Sequence, residues 1–195
     1  MKSYTFALIL FLLPMPGIAV SKDPVDMIRA TTERVLVRLE QAPETKLNPD
    51  KLRTLVEENI LPSIDFMRLS RLTLGKHWRT ATNLQRERFS NEFRRLLIRT
   101  YSVALAEYAG QKVDYMPLKM TPDGKRSAVR TKLQQSGGAP VTVDYSLYKT
   151  STSWKIYDVT IEGVSLAVNY RSSFGQEIRT HGLDGLIQQL AARNQ

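Results

Sequence analysis

Apolar residues recur at helical spacing through the first half of the chain, fall at every second position in the middle, and return to helical spacing near the end. Within residues 25–41, Ile28, Val35, Leu36 and Leu39 share one helical face. Residues 42–48 read as a linker. Asn48 before Pro49 predicts an N-cap followed by proline at the first helical position. Leu52, Leu55, Val56 and Ile60 then mark the buried face of that helix. Pro62 ends or kinks it, and Ser63 is read as the start of another helix carrying Ile64, Met67 and Leu72 toward Gly75. Thr82 and Gln85 stand at capping-box spacing. After them Phe89, Phe93, Leu96, Leu97, Tyr101, Ala104, Leu105 and Tyr108 form a stripe, with Arg86, Glu87, Arg94, Arg95 and Arg99 opposite. Gly110 suits a C-cap. About 26 residues at about 1.5 Å each make a rod of about 40 Å, one wall of the core.

From Gln111 the period becomes two. Val113 and Tyr115 open a strand, and residues 122–125 (PDGK) form a turn. Val129, Thr131 and Leu133 alternate with Ala128, Arg130 and Lys132. After a turn at residues 137–140, Val141, Val143, Tyr145 and Leu147 alternate with Thr142, Asp144, Ser146 and Tyr148. Short connections imply an antiparallel meander. The last strand breaks the alternation: Trp154 and Ile156 fall on one face, and Tyr157, Val159 and Ile161 on the other. Either a bulge shifts the phase or protein covers both faces. Gly163 permits a sharp turn. Residues 174–181 and 184–192 read as closing helices interrupted by Gly182. The fold class is therefore α+β: a curved antiparallel sheet of about four strands, packed with a long helix and several shorter ones. One domain spans residues 22–195, helical over 25–110, sheet over 111–162, with C-terminal helices over 172–193.

The N-terminus reads as a signal peptide over residues 1–21. Lys2 supplies a positive start, and residues 4–13 are an apolar run too short to span a bilayer. Pro14, Pro16 and Gly17 follow, and small residues at Ala19 and Ser21 allow cleavage after either. A soluble, exported protein without a membrane anchor is the expectation. There is no cysteine, so disulfides, thiol catalysis, thiolate metal sites and a lipoprotein anchor are all excluded. The formal charge is +9, and loss of Lys2 leaves roughly +8. The basic residues are scattered and nucleic-acid signatures are missing, so a nucleic-acid partner is not expected.

Candidate chemistry is sparse. The two histidines, His77 and His181, are far apart in sequence. Neither has a metal-ligand spacing, and each is read as sitting near a helix C-terminus. No serine lies in a nucleophile elbow. Asp158 and Glu162, four apart on a strand, would stand about 13 Å from one another, too far for a glycosidase pair. A salt bridge and a turn contact suit them better. No catalytic residue, cofactor or metal is assigned.

Three blocks carry a resemblance to a known family. Residues 62–70 (PSIDFMRLS) and 74–82 (LGKHWRTAT) form the first. Gln85, Arg86, Phe89, Phe93, Leu97 and Tyr101 form the second. Residues 154–166 (WKIYDVTIEGVSL) with Tyr170, Arg171, Phe174, Ile178, Gly182, Leu183 and Asp184 form the third. In this order the chain resembles the MlaC, or toluene-tolerance auxiliary, family of periplasmic phospholipid-binding proteins. The resemblance implies a cone like that of nuclear transport factor 2, with an apolar cavity for acyl chains and the headgroup in water. It also implies a periplasmic shuttle between an outer-membrane lipoprotein–porin complex and an inner-membrane ABC transporter with an MCE-domain subunit, maintaining outer-membrane lipid asymmetry and solvent tolerance. Expected cavity residues are Val143, Tyr145, Leu147, Tyr157, Val159 and Ile161 from the sheet, with Phe93, Leu97 and Tyr101 from the long helix. Arg94, Arg95, Arg99 and Arg171 are weaker candidates for headgroup or partner contact. A periplasmic enzyme acting on an apolar substrate and a lipid-free adaptor are the alternatives.

Overall fold

The computed structural model describes residues 23–107, 110–135 and 137–194. Residues 1–21, where a signal peptide is expected, Tyr108 and the side chain of Leu105 lie outside these. Helix α1 (Pro24–Gln41) starts at Asp23, whose side chain accepts from the Val25 amide. The linker contains a 3₁₀ turn, Pro43–Leu47. Helix α2 (Pro49–Asn59) is capped by Asn48, which accepts from the Asp50 and Lys51 amides. After a second 3₁₀ turn at Leu61–Ser63, α3 (Phe66–Leu74) starts at Asp65 rather than Ser63. The Asp65 carboxylate accepts from the Arg68 amide, and this cap fixes the start. Met67 faces solvent, while Leu69, Ser70, Thr73 and Leu74 are buried. A short helix α4 (His77–Thr80) follows, so His77 begins a helix rather than ending one. The capping box forms reciprocally: the Thr82 amide donates to Gln85 Oε1 at 2.9 Å, and the Gln85 amide to Thr82 Oγ1 at 3.1 Å. It opens the long helix α5 (Asn83–Glu107), in which Ala104 is exposed.

The sheet is a five-stranded antiparallel meander in sequence order: β1 (Val113–Met120), β2 (Arg126–Gln135), β3 (Gly138–Lys149), β4 (Trp154–Ile161) and β5 (Val164–Ser165). Opposed residues share a face. Tyr115, Thr131 and Val143 form one rung of the inner face, and Val129, Tyr145 and Val159 line up beside it. Outside, Arg130 forms a bidentate pair with Asp144 across the strands, both bonds 2.7 Å long. Along β4 the register steps from Ser146↔Asp158 to Leu147↔Ile156, leaving Tyr157 as an extra residue. This bulge places Trp154, Ile156, Val159 and Ile161 on a single inner face. The sequence pattern had split them, and had grouped Tyr157 with Val159 and Ile161. Tyr157 instead lies beside Tyr148, which points away from the inner row, and under the Arg68 guanidinium, 5.3 Å from its ring centre.

Glu162 and Gly163 close a two-residue hairpin, both with positive φ (49° and 80°), the twist that such hairpins require. The Glu162 carboxylate accepts from the Thr142 amide, the expected turn contact. Asp158 makes no salt bridge among the described residues. It accepts from the Ser165 hydroxyl at 2.6 Å and from the Ala167 amide at 3.2 Å, while Ser165 caps the next helix through the Val168 amide. That helix, α6 (Leu166–Arg193), begins earlier than the apolar pattern suggested and reverses at Gly182 (φ 71°, ψ 174°). Its first half runs against α5, with Phe174 beside Phe89 and Phe93 and with Tyr170 beside Phe93. Its second half returns along α5, with Asp184 bonded to Gln85 and Asn194 bonded to Glu92.

The largest core cluster joins α3, α5 and α6 through Leu69, Leu74, Phe89, Phe93, Leu97, Phe174 and Leu186. A second joins Ile28 of α1 to Val129, Leu147, Trp154 and Ile156. A third joins α1 to α2 through Val35, Leu39, Leu52 and Leu55. The long helix therefore packs chiefly on α2, α3 and α6, whereas α1, α3 and α6 meet the sheet. The long helix meets the sheet through the cluster that Val159 and Ile161 of β4 join. No helix among the described residues is long and apolar enough to cross a membrane.

Asp158 holds β4, β5 and α6 together through three acceptor contacts, including the neighbouring Val159 amide. Asp158→Ala is expected to cost about 2 kcal/mol, the sum of a lost cap and a hydroxyl left without its acceptor. A lowered urea midpoint with unchanged slope would carry that loss.

Candidate functional site

The inner face of the sheet is covered unevenly. At one end Val129 and Leu147 have no exposure, Ile156 keeps 3%, and Ile28 of α1 closes over them. Toward the other end Leu133, Val141, Val143, Tyr145, Val159 and Ile161 are all only half-buried. This half-covered apolar face is the candidate site. Beside it are the first turns of α6 and the C-terminal part of α5. Val159 and Ile161 pack on the helical cluster, and Val159 and Tyr145 on the sheet-side cluster.

The expected site residues divide into groups. Val143, Tyr145, Val159 and Ile161 lie together on the half-covered face, with Tyr101 packed on the same helical cluster as Val159 and Ile161. Leu147 lies on that face but at its closed end. Phe93 and Leu97 are packed in the helical core at 0% and 7% exposure, Phe93 stacked with Phe89 at 5.5 Å. Tyr157 is separated from the group by the bulge. Tyr170, Tyr115 and Thr131 belong to the surroundings of the site without having been singled out. Tyr170 stands four residues from both Leu166 and Phe174, a periodicity that becomes visible once Ser165 is read as an N-cap.

Tyrosine hydroxyls are the polar groups of this region. Burial pushes Tyr101 up to about 12, helped by the adjacent Tyr170 hydroxyl. Burial likewise raises Tyr145, against the opposing pull of the Thr131 hydroxyl. It raises Tyr115 too, with Thr32 opposing and the Arg29 guanidinium 4.4 Å from its ring. Water is thus partly excluded although the face is not closed.

The arginines have other tasks. Arg171 donates through Nε at 2.8 Å, and also through Nη2, to the Leu72 carbonyl near the end of α3, and its side chain passes 3.4 Å from where a Gly75 Cβ would stand. It therefore ties α6 to α3. Arg95 pairs with Glu92 at 3.0 Å, and Arg99 is exposed. Arg94 borders two adjoining surface grooves of about 430 and 400 Å³, one with Glu57, Leu61 and Pro62, the other with Ile64, Phe66, Met67 and Lys155. His181 contacts Glu177 on the surface at 2.9 Å. Among the described residues no cluster of acids and histidines could hold a metal ion.

Comparison with known proteins agrees with this architecture. A family model described as MlaC protein matches residues 29–192. The toluene tolerance protein ttg2D of Pseudomonas putida is 30% identical over 180 residues, covering 91% of this chain and 83% of its own. The intermembrane phospholipid transport system binding protein MlaC of Haemophilus influenzae is 28% identical over 191 residues, covering 95% of this chain and 88% of its own. A phospholipid-binding protein from Ralstonia solanacearum, solved in complex with a phospholipid, superposes with a TM-score of 0.82 at 33% identity, over 88% of this chain and 97% of that one.

The raised Tyr101 gives a pH signature. The folded state holds this proton more tightly than the unfolded state, whose value is 10.0. Its stabilising contribution is whole below pH 10 and is lost as pH rises toward 12. Tyr101→Phe should flatten the fall in stability across that window, as read from urea midpoints at stepped pH.

Proposed function

Because the chain belongs to the MlaC family, we propose that it is a periplasmic phospholipid carrier whose acyl-chain site is the half-covered inner face of the sheet. The observation that carries the reading is the unfilled apolar coverage of Val143, Tyr145, Val159 and Ile161, next to a fully packed core. The phospholipid complex of the structural relative from Ralstonia solanacearum supports the choice of ligand.

The physical need for such a carrier follows from the hydrophobic effect. Each buried CH₂ is worth about 0.8 kcal/mol, so exposing two ordinary acyl chains to water costs about 20 kcal/mol or more. A protein face of matching apolarity removes that barrier without any energy source of its own. Delivery then takes place between two membranes: an outer-membrane lipoprotein–porin complex at one end and an MCE-domain ABC transporter at the other, the latter supplying any energy input. The result is maintenance of outer-membrane lipid asymmetry and solvent tolerance. The groove flanked by Arg94 and Lys155, together with exposed Arg99, provides cationic contact points for these partners. The protein is not an enzyme in this reading: it moves its ligand unchanged.

Native mass spectrometry of protein purified from the periplasm should find stoichiometric phospholipid. Val143→Trp, at a half-buried position, should lower bound lipid several-fold while the thermal midpoint stays within a few degrees. Leu97→Trp is a poorer probe, because Leu97 is packed in the core and a larger ring there strains it. Protein that purifies empty would favour the adaptor reading, and normal lipid content in Val143→Trp would remove that position from the site.

A further inference from the structure

The two surface hollows that Arg94 borders share Leu61 as well, so they form one continuous groove. It runs past the 3₁₀ turn Leu61–Ser63, the start of α3 and the ends of β3 and β4. Tyr148 and Lys155, which line it, are cross-strand partners in the row that faces away from the acyl-chain face. The groove can therefore be filled while that face is occupied. Its apolar part is open: Met67 keeps 44% exposure, beside half-buried Leu61 and Phe66. Its positive charge is unspent. Arg94 donates to Asn91 Oδ1 at 3.3 Å, and the Lys155 ammonium donates to the Pro62 carbonyl. Both cations are half-buried, both acceptors are neutral, and neither cation forms an ion pair among the described residues. The Asp65 carboxylate in the same groove is already taken by the Tyr148 hydroxyl and the Arg68 amide. Glu57 lines the other hollow, beside Arg94.

Two cations held in place by neutral groups, next to exposed hydrocarbon, complement a surface that brings carboxylates and apolar side chains together. A carboxylate entering the groove meets charge that is already aligned and partly shielded from water, so its attraction exceeds that in bulk solvent. Strand addition is not available here, because Ile64 bridges Ile156 and the Asp65 amide donates to the Ile156 carbonyl at 2.8 Å, which closes the β4 edge. Recognition through side chains is left, and an amphipathic helix laid in a groove is its common form. Resting on the reading of the chain as a carrier that docks with its lipid aboard, we propose that this groove receives an acidic amphipathic helix of a protein partner, its apolar side chains against Leu61 and Met67 and its carboxylates on Arg94 and Lys155.

The test is fluorescence anisotropy of two labelled peptides with protein purified from the periplasm: an amphipathic helix of leucine and glutamate, and its leucine–lysine counterpart. The glutamate peptide should bind roughly tenfold tighter or more, and should weaken as salt rises. Arg94→Gln and Lys155→Gln should each loosen it several-fold, and Glu57→Lys should tighten it. Met67→Asp, at an exposed position, should loosen it about tenfold, and it serves as the probe if a change at a half-buried cation disturbs folding. Native mass spectrometry should find the lipid content of all four variants unchanged. Equal binding of the two peptides, binding of neither, binding to phosphatidylglycerol vesicles without binding to the peptide, or undiminished binding in the Met67 variant overturns the groove and leaves the carrier reading intact. Peptide affinity that falls only together with lipid content also overturns it. Wild-type protein that carries no lipid overturns the carrier reading, whatever the peptides do.

Discussion

One extra residue in β4 governs the arrangement. A strict two-residue period would turn either the Trp154–Ile156 pair or the Val159–Ile161 pair away from the core. The bulge at Tyr157 keeps all four on the inside. It also places the Tyr157 and Tyr148 rings beside the Arg68 guanidinium, which lies 4.0 Å from the Tyr148 ring centre. At the same point the Ile156 carbonyl accepts from the Asp65 amide at 2.8 Å, and the Asp65 carboxylate caps α3. Asp158, one residue past the bulge, reaches the start of α6. Sheet face, α3 and α6 are thus all indexed from the same irregularity.

Local signals were legible where a single side chain meets its own backbone. The Asn48–Pro49 start, the Thr82–Gln85 box and the Gly182 interruption are contacts made within a few residues, so their chemistry is written consecutively in the chain. The phase of β4 was ambiguous because alternation cannot tell a bulge from a doubly covered strand. The true start of α6 was missed because its cap depends on Ser165 and on Asp158 across a hairpin. Likewise Arg171 reads as a free surface cation, yet its partner is a backbone carbonyl ninety-nine residues away. Of the candidate site, the sheet face could be read from the sequence. Its depth could not: alternation says which side chains share a side, and only the tertiary fold separates packed Leu147 from half-covered Val143.

That contrast also organises the function. A core wants every apolar side chain covered, at a density that leaves no room for a guest. Here α3, α5 and the two halves of α6 form such a core among themselves, with Phe89 and Phe93 at zero exposure. Removing either ring would cost several kcal/mol, roughly 3–5 by analogy with other buried aromatics. The sheet joins that core through Val159 and Ile161, while its far end is only half-covered. The tightest packing lies in one region and a half-covered apolar face in another.

The reversal at Gly182 has a consequence in time as well as in space. Both halves of α6 supply the partners of Phe89, Phe93 and Leu97, and α6 is the last element of the chain. A polypeptide made from its N-terminus carries an unsheltered aromatic stripe on α5 until α6 emerges, since domains fold as units once their contacts are complete. Early lengths of the chain have no closed core to form. Commitment to the native state is deferred until α6 has been made.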